Sequence, residues 1–244
     1  MAIFTAPVIG FGQPDLVSSS TQEYPLGTRA QSADGREFVY VKAGAVDLVA
    51  GNVIQSPAIV PTHLANTPPA VAVGAKSFSY TPGATAAAAD FYAGGYLQVD
   101  TTPGLGYTYT VEGHAAITAS TAFTLLLKDP IQVALTTSSR VGLCANKYRG
   151  VIQFPVTTAT GSIVGIATYV IAADEYGWLC TRGICSVLTT GTPALGAMVM
   201  APGTVAGAAE VVVAAGTLVV AQVIGHMAQV GVNGKINFVD VRIA

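Results

Sequence analysis

The apolar side chains of this chain recur at every second position, a period that excludes most helical architectures. In residues 76–81, Phe78 and Tyr80 face one way while Ser77, Ser79 and Thr81 face the other. In residues 106–112, Tyr107, Tyr109 and Val111 alternate with Thr108, Thr110 and Glu112. Such alternation puts one face of a strand on a core and the other in water. The last segment, 235–243, begins in the same way with Ile236 and Phe238, then changes phase to Val239, Val241 and Ile243. That shift predicts a β-bulge or a strand buried on both faces. The runs 124–127, 163–171 and 218–224 are β-branched or flanked by glycine, which predicts buried strands.

Turn residues fit the same reading. Asp34-Gly35 and Asn233-Gly234 each precede an apolar strand and predict type I′ hairpin turns, in which both central residues need positive φ. Pro82-Gly83, Pro103-Gly104 and Pro202-Gly203 supply further turns. Alanines in 85–89 are the one helical signal, enough for a single turn. The expectation is an all-β chain of β-sandwich or β-barrel lobes, either two lobes or one compact unit. Residues 1–27 lack alternation and carry Pro7, Pro14 and Pro25, so they read as an extended N-terminal arm. Its aromatics Phe4, Phe11 and Tyr24 are candidate subunit or capsid contacts. A β-rich main domain is then expected over 28–172 and a C-terminal β lobe over 173–244. A loose repeat supports two lobes: Gly35 to Pro57 and Gly177 to Pro202 share an order of strand, small-residue turn and strand.

Charge is the second constraint. Only 10% of the residues are charged, against about 25% in an average soluble protein. Charge is the usual guard against association, so a chain this neutral is expected to live in an assembly that covers its surface. A net charge of −2 with scattered cations offers no groove for nucleic acid. The most apolar stretch, 211–225, falls short of the roughly 18 residues that cross a bilayer. The N-terminal stretch has no cationic start and is broken by proline, which does not fit a cleaved leader and predicts synthesis in a cytoplasm.

Residue types that carry chemistry are few. His63, His114 and His226 are candidate acid–base groups, but no G-x-S-x-G elbow accompanies them, and hydrogen-bonded structural histidines are expected. Asp34, Glu37, Asp47, Asp90, Asp100 and Glu112 supply the carboxylates of a hypothetical hydrolase, though carboxylates also populate β-turns. Asp174-Glu175 has too few oxygen neighbours for calcium and reads as a hairpin tip. Gly104-Leu105-Gly106 opens a dinucleotide-like pattern that Tyr109 ends. Cys144, Cys180 and Cys185 are an odd set without zinc spacing, and read as free, buried thiols. Trp178 with ten tyrosines could build a sugar-stacking platform or serve core packing and subunit contacts. No catalytic, cofactor or metal residue is assigned, and no cofactor is expected.

Several stretches resemble capsid decoration, or cement, proteins of tailed bacteriophages. They are Leu26-Gly27-Thr28-Arg29, then 34–40 (DGREFVY), 92–100 (YAGGYLQVD) and 104–117 (GLGYTYTVEGHAAI), then Tyr176-Gly177-Trp178 with Arg182-Gly183 and the closing apolar strand. The resemblance covers about two-thirds of the chain. It implies a non-enzymatic virion structural protein on the capsid surface, commonly a homotrimer, that clamps neighbouring subunits of the major capsid protein lattice. It implies no active site, nucleic acid or membrane. The rival expectations are a head-fibre or adhesin module for host glycans and a small hydrolase.

Overall fold

In a computed structural model of the chain, the described residues are 8–9, 16–156, 159–212 and 222–243. The protein is all-β: sixteen strands, a short 3-10 turn at Pro61–His63, and no α-helix among the described residues. Residues 85–89 form no helical turn. The strands build two compact units, one of residues 1–57 with 147–244 and one of residues 58–146.

The first unit holds β1 (Val8–Ile9), β2 (Arg29–Ser32), β3 (Glu37–Ala43), β4 (Val53–Gln55), β10 (Arg149–Gln153), β11 (Ile163–Ala167), β12 (Tyr176–Thr189), β13 (Met198–Met200), β14 (Glu210–Val211), β15 (Val223–Met227) and β16 (Lys235–Arg242). Five of these close on themselves. β3 pairs with β10, β10 with β4, β4 with β11, β11 with β12, and β12 returns to β3. A closed ring leaves those strands no free edge. Its interior is small and aliphatic, with Val39, Val41, Ile54, Val151, Val164 and Leu179 in one cluster. The alternate residues Phe38, Tyr40, Ile166, Trp178 and Cys180 face outward into a second cluster, which they share with Val187, Val199, Val239 and Val241. Strands packed on both faces cannot show a two-residue period, and β11 is buried at all five positions.

β12 joins the ring to the outer sheet. Its first half pairs with β3 and β11; residues 182–189 pair with β16, which continues to β15, β13 and β14. The bend between the halves falls at Gly183, whose φ of +94° suits glycine and where an added Cβ would lie 2.9 Å from the Arg36 side chain and force it to shift. Cys180 and Cys185, one on each side of the bend, have Cα atoms 6.8 Å apart and form a disulfide. An extended strand would hold them about 16 Å apart. This corrects the expectation of three free, buried thiols: two are bonded because the strand folds back, and Cys144 is free and exposed.

The second unit holds β5 (Ser77–Tyr80), β6 (Tyr96–Thr101), β7 (Thr108–His114), β8 (Phe123–Leu127) and β9 (Arg140–Cys144), in the order β5-β8-β7-β6-β9. Of its strands β5, β6 and β8 alternate, as does most of β7, and Phe78, Tyr80, Leu97, Tyr109, Val111 and Leu125 share one core. Tyr107 precedes β7 and is exposed, stacked beside Tyr109 instead of buried with it.

The domain boundary predicted at 172/173 is corrected as well. It would separate the adjacent partners β11 and β12. The second unit is instead an insertion between β4 and β10, whose Gln55 and Ile152 lie side by side in the first unit. Both halves of the loose repeat fall in the first unit. The residue pairs Asp34-Gly35 and Asn233-Gly234 do form turns, but only their glycines have positive φ, so these are not type I′. β16 pairs with β12 over eight successive residues without a bulge, and its Ile236 and Phe238 face solvent at 52% and 51% exposure.

Two outcomes follow. The native protein should react with one equivalent of a thiol probe, from Cys144. Denaturation alone should leave that count unchanged, and reduction should raise it to three. Reduction should also lower stability by about 2 kcal/mol, the chain-entropy value for so short a loop. Because the inserted unit has its own core, a fragment of residues 58–146 should unfold cooperatively in a thermal melt; a non-cooperative melt would contradict that division.

Candidate functional site

The β3–β12 register builds an aromatic ladder on the outside of the ring. Phe38 lies opposite Cys180, Tyr40 opposite Trp178, and Lys42 opposite Tyr176. Tyr40 and Trp178 have ring centroids 5.0 Å apart, and Tyr40 stacks on Tyr176 at 6.0 Å. The Lys42 ammonium lies 5.7 Å from the centre of the Tyr176 ring and pairs with Asp174 at 3.6 Å. Burial pushes the Tyr40 phenol above its ordinary range.

Residues 16–24 lie across this ladder. Ser19 exchanges two backbone hydrogen bonds with Tyr176, at 3.0 and 2.8 Å. The Glu23 N–H donates to the Tyr40 hydroxyl at 3.1 Å, and the Ser18 hydroxyl donates to the Glu175 carboxylate. Tyr24 packs on Tyr40 and Trp178 with centroids at 5.4 and 5.3 Å. Between segment and ladder is a cavity of about 410 Å³, lined by Ser18, Ser20, Glu23, Glu175, Tyr40 and Trp178 among others.

This geometry bears on several expectations. Tyr24, assigned to an arm reaching a neighbour, packs on its own unit, and Val8–Ile9 pair with β2 of that unit. The described part of the arm is therefore a strap on its own sheet. Phe4 and Phe11 lie outside the described residues. Trp178 is 4% exposed, with Tyr24 and Tyr40 packed against it, so it offers no open ring face to a sugar. Asp174 and Glu175 serve different partners, Lys42 and Ser18.

The histidines are structural in the second unit. His63 Nε2 meets the Thr85 carbonyl at 2.8 Å and must donate to it. Nδ1 is then the acceptor of the Tyr92 hydroxyl at 2.6 Å. His114 donates through Nδ1 to the Ala115 carbonyl at 2.7 Å and accepts the Tyr92 N–H at Nε2, at 3.0 Å. Neither ring keeps a free nitrogen to deprotonate a nucleophile. His226, on β15, sits opposite Asp240 in register, and Asp240 is engaged by Arg242 at 2.6 Å.

The carboxylates divide between the units and are mostly held locally. Asp34 binds Ser32 and Arg36, and the Ser32 hydroxyl above all holds its carboxyl below the usual range. Glu37 pairs with Arg182, Asp47 accepts the Ala173 N–H at 2.8 Å, Asp90 accepts the His114 N–H at 3.0 Å, and Asp100 accepts the Thr101 hydroxyl. Glu112 is exposed on β7. Among the described residues no group of three or more His, Cys, Asp or Glu could hold a metal ion, and no helix could cross a membrane. Gly104-Leu105-Gly106 is part of the turn from β6 to β7. The strap residues Ser18, Ser20 and Glu23 were not legible as a site, because a polar run without period gives no position.

Tyr92→Phe should remove the donor that satisfies His63 Nδ1 and cost about 1–3 kcal/mol, the penalty for an unpaired buried polar group. Chemical denaturation should show this loss with an unchanged native circular dichroism spectrum. Set against known proteins, the chain matches no protein-family model, no curated protein and no solved structure.

Proposed function

We propose that this chain is a non-enzymatic virion structural protein that decorates a bacteriophage capsid and stabilises it by clamping neighbouring subunits of the major capsid protein, acting as a homo-oligomer, with a trimer favoured. The supporting observation is the outward face of the outer sheet. Ile184, Leu188, Met198, Val223, Ile236 and Phe238 lie on that face across β12, β16, β15 and β13, and five of the six are between 42% and 52% exposed. Its charged side chains are paired, Asp240 with Arg242 and Arg182 with Glu37. Contiguous apolar surface of this kind is a mark of interaction sites, and obligate interfaces are large and apolar. The scarcity of charge over the whole chain points the same way, as does the sequence resemblance to decoration proteins. The proposed location is the capsid surface, after synthesis in a host cytoplasm.

Light scattering on the purified protein should report a trimer, and the protein should co-sediment with phage heads and raise their resistance to heat. Replacing both Ile236 and Phe238 with Asp should abolish trimer formation or head binding. Both side chains are half in water in the single chain, so the variant should keep the β circular dichroism spectrum of the wild type. A stable wild-type monomer that leaves head strength unaltered would refute the proposal.

A further inference from the structure

The sheet of the second unit ends on an edge that the rest of the fold leaves open. Among the described residues, β1 and β14 end one sheet, and β5 and β9 end the other. β1 and β14 are each two residues long. β9 exchanges two backbone hydrogen bonds with Asn66, both at 2.8 Å. β5 runs for four residues and pairs only with β8. The Leu127 N–H donates to the Lys76 carbonyl at 2.8 Å. The unbroken register from Ser77 opposite Leu126 to Tyr80 opposite Phe123 then directs the backbone groups of Phe78 and Tyr80 to β8. The N–H and C=O groups of Ser77, Ser79 and Thr81 therefore point the other way, and none of them has a hydrogen-bond partner among the described residues.

Edges are ordinarily guarded by a bulge, a proline or an inward charge. β5 contains none of these: Ser77 and Ser79 are exposed, Phe78 and Tyr80 are buried, and Lys76 lies just outside. Pro82 follows Thr81 and holds it extended, which prolongs the edge by one residue. The edge is also complementary to itself. An antiparallel copy placed about a two-fold axis at Ser79 sets Ser79 opposite Ser79 and Ser77 opposite Thr81. Each of the three then donates one hydrogen bond and accepts one. Phe78 meets Tyr80 of the second copy on the buried face, and Lys76 falls opposite Pro82, so no like charges meet. Neighbouring registers are blocked. An axis at Phe78 would bring Thr81 against Ala75, whose carbonyl already accepts from Ile131 at 2.9 Å. An axis at Tyr80 would bring Ser77 against Gly83, whose N–H and carbonyl are bonded to Thr62 and Ser120.

We infer that two copies of this chain pair through their β5 edges, antiparallel about a two-fold axis at Ser79, so that their second units share one continuous sheet. The contact uses no residue of the outer sheet and stands independently of the virion reading. Backbone groups that leave water for each other gain little net free energy, so the pairing is weak between free copies and takes hold where copies are already held close.

Cysteine cross-linking reads both the contact and its register. Every variant carries Cys144→Ser, which removes the native free thiol. Facing residues of a hydrogen-bonded antiparallel pair have Cα atoms about 5.5 Å apart, within the span of a disulfide. On mild oxidation of the concentrated full chain, Ser79→Cys should give a covalent dimer as its main product on a denaturing, non-reducing gel. Ser77→Cys should stay monomeric, because its two copies would lie roughly 14 Å apart along the strands. The double variant Ser77→Cys/Thr81→Cys should cross-link again, since position 77 faces position 81. All three side chains are exposed, so each variant should keep the native circular dichroism spectrum. The gel reports covalent pairs only, so the outcome does not depend on whether the outer sheet makes a trimer. Equal dimer yields from Ser77→Cys and Ser79→Cys would mean random collision and overturn the inference. So would the absence of dimer from both Ser79→Cys and the double variant.

Discussion

The first unit depends on one bent strand. β12 closes the ring against β3 and β11 with its first half and founds the outer sheet with its second. A straight strand could not do both, because it would carry the ring's outward residues past the sheet that must cover them. The bend at Gly183 turns the outer sheet so that Val187, Val199, Val239 and Val241 meet Phe38, Tyr40, Trp178 and Cys180 in one core. The disulfide ties the two sides of that bend. The aliphatic ring interior and this aromatic outer core are therefore two faces of the same strands. That arrangement accounts for part of the missing charge, since a strand buried on both faces has no position for a solvated side chain.

The sequence was legible to the degree that each strand had one wet face. In the second unit, β5 and β7 alternate, and their buried residues, Phe78, Tyr80, Tyr109 and Val111, could be named from period alone. In the first unit the period fades where both faces are apolar, so 163–167 could be read as a strand but not placed in a ring. The insertion was invisible for a related reason. Its ends are joined by β4 and β10, strands of three and five residues whose pairing spans the whole second unit. Nothing local in either strand announces so distant a partner.

The candidate site was legible only in its aromatic half. Tyr176 and Trp178 stood out by type, and Tyr24 as an aromatic in a segment without period. Their convergence required the β3–β12 register, which sets Tyr40 against Trp178. Ser18, Ser19, Ser20 and Glu23 carried no signal, because a strap is positioned by two backbone hydrogen bonds to Tyr176 and one to the Tyr40 hydroxyl, and backbone bonds leave no mark on residue type. The cysteines failed for a geometric reason: five residues apart in a strand means far apart, unless something turns the chain.

The phase change in the last strand has a different meaning from the one its pattern suggests. Apolar residues at 236 and 238 followed by 239 and 241 could be reconciled by a bulge that buries both sets. Instead the strand runs unbroken, and Asn237 fixes which set goes inside. Its amide donates toward the Thr189 hydroxyl at 2.7 Å and the carbonyls of Lys235 and Val232 at 2.9 and 3.0 Å. Its oxygen accepts from Gln229 at 3.0 Å and from the Val232 N–H at 3.1 Å. A slip of one residue would turn Ile236 and Phe238 inward, but it would expel Val239 and Val241 from the core and break this buried network. Each buried group left unpaired costs about 1–3 kcal/mol, while hiding the exposed half of a large apolar side chain returns only about 1 kcal/mol. The balance keeps Phe238 outside. Its exposure is thus a specified feature of the fold, held in place by the buried polar residue beside it.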